Sequence, residues 1–160
     1  MRALIVRLRY ALALAGLAIV LSVSGAAAAG AIHGSFDPTG AVFTCTTPTG
    51  IVTYTITSGT VDVVMHQEFT PNGRASSTGT MTANHVFALG SDGNDVRIVG
   101  ADWFGGAGTE DGFVFTATSK FQLVALNGGV LGSVNETVHM STRTGQVFDH
   151  NVGNCTEPPD

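Results

Sequence analysis

Gln67, His85, Asp102, Ser119, Glu136 and His150 share one property: strand alternation places each on a face whose other members are apolar. Counting residues through the turns sets His85 diagonal to Asp102 across one hairpin, and Glu136 beside His150 across another. An acid beside an imidazole can orient the ring as a general base. Two ring nitrogens with two carboxylates can equally ligate a metal. A satisfied polar network, or wet positions near a barrel rim, would place the same residues there without chemistry. A one-residue slip would also turn a whole strand outward. The six are therefore candidate ligand-binding residues, with no catalytic residue assigned and no metal or cofactor expected.

Motifs add nothing to that set. The chain lacks G-x-S-x-G, H-E-x-x-H and a phosphate-binding glycine loop. Gly105-Gly106-Ala107-Gly108 has neither the lysine nor the following helix that phosphate binding needs, so it reads as a hinge or turn. Asn135-Glu136-Thr137 matches a glycosylation sequon, but it falls mid-strand behind a bacterial-looking signal. His66, flanked by Asp62 and Glu68, reads as a solvated outer face.

The elements that must hold these residues are strands. Residues 112–141 form two alternating runs around Asn127-Gly128, a strong short-range hairpin signal. A two-residue loop there sets Ala125 opposite Val130, Leu123 opposite Gly132, Phe121 opposite Val134 and Phe115 opposite Met140. The apolar faces then coincide, which a correct register requires.

Upstream, Ala41–Thr46 and Ile51–Thr57 are β-branched runs, and Ser58-Gly59 reads as the next turn. Val61, Val63, Met65 and Phe69 define an inward face on which Gln67 is the polar exception. A three-residue loop at Pro71-Asn72-Gly73 puts Val63 opposite Met81 and Val61 opposite Ala83. A two-residue turn at Asp92-Gly93 puts Leu89 opposite Val96 and Phe87 opposite Ile98, with Asp102 inward and Trp103 outward or at a rim. Gly105–Gly112 reads as a mobile rim loop. A three-residue loop at Arg143-Thr144-Gly145 pairs Met140 with Phe148, Val138 with His150 and Glu136 with Val152. Every link is short, and none of the chain beyond residue 29 shows a sustained helical period. The expected fold is all-β: one antiparallel up-and-down barrel of about eight strands, with a β-sandwich as the alternative.

Arg2, Arg7 and Arg9 precede an apolar run at Tyr10–Leu21, and small residues follow at Gly25–Ala29. This is the order of a secretory signal, 1–29, too short to span a bilayer as a helix. An uncleaved signal anchor is the alternative. A loose segment at 30–40, a secreted β domain at 41–155 and a disordered tail at 156–160 are expected to follow. Without the signal, four cations (Arg74, Arg97, Lys120, Arg143) face twelve acids, a net charge of −8. So few scattered cations argue against nucleic acid and against anionic membrane surfaces after signal cleavage. The only cysteines, Cys45 and Cys155, read as one disulfide in an oxidising compartment. The bridge brings the first and last strands together.

With its alanine-rich signal, Asp102-Trp103-Phe104-Gly105-Gly106, Thr118-Ser119-Lys120-Phe121-Gln122 and Gly153-Asn154-Cys155, the chain resembles small secreted β proteins of actinobacteria. The resemblance implies a secreted bacterial protein and carries over no activity or site residue. The expected function is a secreted binding or interaction module for a small, largely apolar ligand or a surface partner. A small barrel enzyme of isomerase or cyclase type, using the interior acid–histidine pairs, is the alternative.

Overall fold

The structure, a computed structural model, describes residues 30–156; the expected signal and residues 157–160 of the expected tail lie outside the described residues. Every regular element among the described residues is a strand. In chain order these are β1 (Ile32–Phe36), β2 (Val42–Thr47), β3 (Gly50–Phe69), β4 (Ala75–Gly90), β5 (Asp95–Thr109), β6 (Gly112–Ala125), β7 (Val130–Ser141), β8 (Gln146–Asn151) and β9 (Cys155–Thr156). Eight follow one another in hydrogen-bonded, antiparallel order from β8 through β7, β6, β5, β4, β3 and β2 to β9. β1 comes from the segment expected to be loose, and it pairs the second half of β3 from Ile32↔Met65 to Phe36↔Val61.

The two ends of this sheet meet at the disulfide. Cys45 and Cys155 are direct cross-strand partners, bridged with Cα atoms 3.9 Å apart. Asn154 fastens the seam on both sides: its Oδ1 accepts from Ser133 N (2.7 Å) and its Nδ2 donates to Thr46 O (2.7 Å). Val152 N adds a bond to Asn135 O (2.9 Å). The result is a nearly closed barrel rather than a sandwich. Farther along the same seam, β8 pairs with β7 and β1 pairs with β3, and the two do not join. The barrel is shut at one end and split at the other.

Loop lengths explain where the expected register holds and where it fails. The loop 71–73 is as expected, with Thr70 N on Arg74 O (2.9 Å) and Gly73 left-handed (φ 77°). The Asp92-Gly93 turn is one residue longer than expected, closing through Gly90 N on Asn94 O (2.9 Å). Val86 and Ala88 consequently face inward opposite Ile98 and Val96, and Leu89 is exposed. The Asn127-Gly128 turn is also one residue longer, with Ala125 N on Gly129 O (3.0 Å). A register shift between Leu123 and Val124 absorbs that residue, so Leu123↔Gly132, Phe121↔Val134 and Phe115↔Met140 stand as expected. The last hairpin has no such compensation. Ser141 pairs with Gln146, and each β8 residue is displaced by one from its expected partner.

Two stretches expected to be loops are strand. β3 runs straight through Ser58-Gly59, where register shifts mark a bend rather than a turn. β5 continues through the glycines 105–108, paired to β6 from Gly105↔Thr116 to Thr109↔Gly112. These glycines clear room for rings. A Cβ at Gly106 would lie 2.3 Å from Phe113 Cζ, and one at Gly79 would lie 2.5 Å from Phe104 Cζ. Glycine inside a strand is tolerated where another group approaches the backbone this closely.

The core lies at the disulfide end. Val52, Tyr54, Val86, Ala88, Val96, Ile98, Leu123 and the cystine form one buried cluster, with Phe43, Phe121 and Val134 packed against it. Phe43 stacks on Tyr54 at 5.4 Å. Toward the split end the inward-facing residues Val61, Val63, Met81, Phe104, Phe115, Val138 and Met140 are only half-buried. Met65 is the buried exception there.

Candidate functional site

The alternation of β5, β6 and β7 does set three of the six candidate residues side by side. Asp102 is the Cα partner of Ser119, and Ser119 is the partner of Glu136. The row extends one way to Met81, opposite Asp102, and the other way to Asn151, opposite Glu136. It crosses the inner wall on the open side of the core. Apolar side chains flank it, with Phe104 and Phe115 stacked at 6.4 Å.

Asp102 is the chemically distinctive member. Its carboxyl is pushed above the usual carboxylate range by burial, and a hydrogen bond with the Ser119 side chain only partly offsets this. Its Oδ1 is buried and has no hydrogen-bond partner. Leaving such a group unpaired costs ~1–3 kcal/mol or more, so an orphaned buried oxygen calls for an explanation. A bound molecule with a donor at that point would supply the missing bond.

The other three candidates do not join this row. Gln67 is half-buried on the inner face of β3, where its Nε2 lies 3.6 Å from Met65 Sδ. His85 is exposed, sits in a register shift of β4 and has a left-handed backbone (φ 51°). Its Nδ1 lies 2.6 Å from Asn84 Oδ1, and Asn84 Nδ2 donates to Asp62 (2.9 Å). That chain runs over the outer surface, because Thr82 and Asn84 are exposed where they alternate with inward Met81 and Ala83. His150 is exposed opposite Thr137 and stacks on Phe148 at 6.2 Å. The expected pairing of His85 with Asp102, and of Glu136 with His150, is therefore overturned.

In comparison with known proteins, no family model, curated protein or solved structure matches this chain.

Among the described residues no three His, Cys, Asp or Glu side chains gather as metal ligands would. The described residues also contain no helix long and apolar enough to cross a membrane. An open depression of about 330 Å³ lies between β5, β6 and β7, lined by Val99, Lys120, Gln122, Ser133 and Asn135 among others. It includes none of the six candidates. Sequence counting missed Asn151 and Asp149 as inward residues, because both depend on the length of the β7–β8 loop. Pairing ends at Ser141↔Gln146, so the loop holds the four residues 142–145 rather than the three read from Arg143-Thr144-Gly145.

Proposed function

We propose that this chain is a secreted bacterial β-barrel that binds a small, largely apolar ligand in its open end. The observation carrying the proposal is the division of the inner wall. One end is filled to a buried core, whereas the other presents half-buried Phe104, Phe115, Val138 and Met140 around Asp102, whose Oδ1 lacks a partner. Mostly apolar walls with a few convergent polar groups are the usual composition of ligand sites. The disulfide suits an oxidising compartment. The signal order of residues 1–29 and the likeness to actinobacterial secreted β proteins support the same reading.

The enzyme alternative needs acid–histidine pairs on the inner wall. His85 and His150 stand on the outer surface, so no observation favours it.

Native mass spectrometry of the protein exported by its own host tests the proposal. A retained small molecule is expected, and it should be lost in Ala117→Trp, which fills the wall beside Phe104. A bare protein mass that stays bare in the presence of host extract would refute the reading.

A further inference from the structure

We infer that the ligand is an apolar organic cation, a hydrocarbon or aromatic body bearing one protonated amine, seated against Asp102. The inference rests on the ligand-binding reading above and adds the ligand's charge and polar group. Its starting point is the Oδ1 of Asp102, a buried acceptor with no donor. An ammonium group supplies a donor and a compensating charge together, and such charge-assisted bonds are the stronger kind.

No described lysine or arginine alternates onto that wall. Of the four described cations, Arg97 lies between buried Val96 and Ile98 and so points outward, and Lys120 is exposed between half-buried Ser119 and Phe121. Arg74 and Arg143 are exposed outside the strands. Among the described residues, the charged side chains that alternation places on this inner face are acids: Asp102, Glu136 in the same row, and Asp149 opposite Val138. A ligand carboxylate would meet like charge there, and an alcohol would supply the donor without the charge.

The walls suit the same class of molecule. Phe104 lies two residues from Asp102 on one face and stacks with Phe115, so aromatic faces stand near the anion. Ring faces attract cations, most strongly where water is excluded. Met81, directly opposite Asp102, adds a polarisable side chain that adapts to irregular apolar shapes.

Calorimetric titration of the disulfide-bonded protein with decylammonium, decanol and decanoate, each below its aggregation concentration, tests the inference. Decylammonium is expected to bind at least ~10-fold more tightly than decanol, with decanoate weakest, as charge assistance requires. In Asp102→Asn the ammonium should fall to within ~3-fold of decanol, while decanol itself changes less than ~3-fold. Equal binding of amine and alcohol, tighter binding of decanoate, or an unaltered amine affinity in Asp102→Asn would overturn the cation while leaving an apolar site standing. Binding of none of the three would overturn both readings.

Discussion

Gly59 and His85 meet at one bend in adjacent strands: a Cβ added to Gly59 would lie 2.6 Å from the His85 carbonyl oxygen and 2.5 Å from Val86 Cα. Register shifts flank both residues, and both have positive φ (121° and 51°). Each bulge inserts a residue and exchanges the faces of its strand. Tyr54 and Ile56 point inward before the bend in β3, and Val61 and Val63 point inward after it. In β4 the change runs from Ala83 to Val86. The same bend separates the packed end from the open one.

Gly59→Ala should therefore cost about 2–4 kcal/mol, combining backbone strain with overpacking. Gly73→Ala is the control, since its φ is 77° but nothing lies within 4 Å of the added Cβ. Its cost should be about 1–2 kcal/mol, from left-handed strain alone. Urea unfolding of the two variants decides the matter. Equal losses would mean that Gly59 is not clamped against β4.

Lys120 and Phe121 are neighbours on opposite faces of β6. Lys120 is exposed, and Phe121 packs against the core cluster. Lys120→Ala should change stability by less than about 0.5 kcal/mol, while Phe121→Ala should cost about 2–4 kcal/mol. Comparable midpoints in urea for the two variants would place β6 in the wrong register.

His85 and His150 should both react with diethyl pyrocarbonate in the folded protein, because both are exposed. Peptide mapping after short exposure would show the modification. Modifying them should leave ligand retention unchanged, as neither ring reaches the Asp102 row. Protection of either residue until the protein is unfolded would contradict the observed register.

Asp102 predicts an unusual pH dependence. Burial raises its carboxyl pKa, so the folded protein holds this proton to higher pH than the unfolded chain does. Across the window from the ordinary Asp value of ~3.9 up to the raised folded value, unfolding releases that proton. Stability should fall as pH rises through the window and then level off. Asp102→Asn cannot ionise and escapes the fall. Urea midpoints of the two proteins should converge near pH 3.5 and separate above it, with the variant the more stable at pH 7. Parallel midpoints from pH 3.5 to 7 would show an Asp102 that is not buried in solution.

The all-β class, the barrel, the disulfide and the organising hairpin were legible because they rest on local information. Alternation in β6 and β7 assigns Phe121, Leu123 and Val134 to one face whatever surrounds them. Two cysteines, Cys45 and Cys155, leave one possible pairing. The inward facing of Asp102, Ser119 and Glu136 was legible for the same reason, but their alignment in one row was not, because it depends on β5 pairing with β6 through the glycines read as a loop. The histidines were not, because their placement sums every loop and bulge between distant residues. One residue more in the β7–β8 loop turned His150 outward, and one bulge lifted His85 off the wall. A bulge is stabilised by the strand opposite it, as His85 is accommodated by Gly59, and that partnership exists only once the strands have paired. Tertiary pairing thus decided which polar residues face the interior, leaving Asp102 there with its unpaired oxygen.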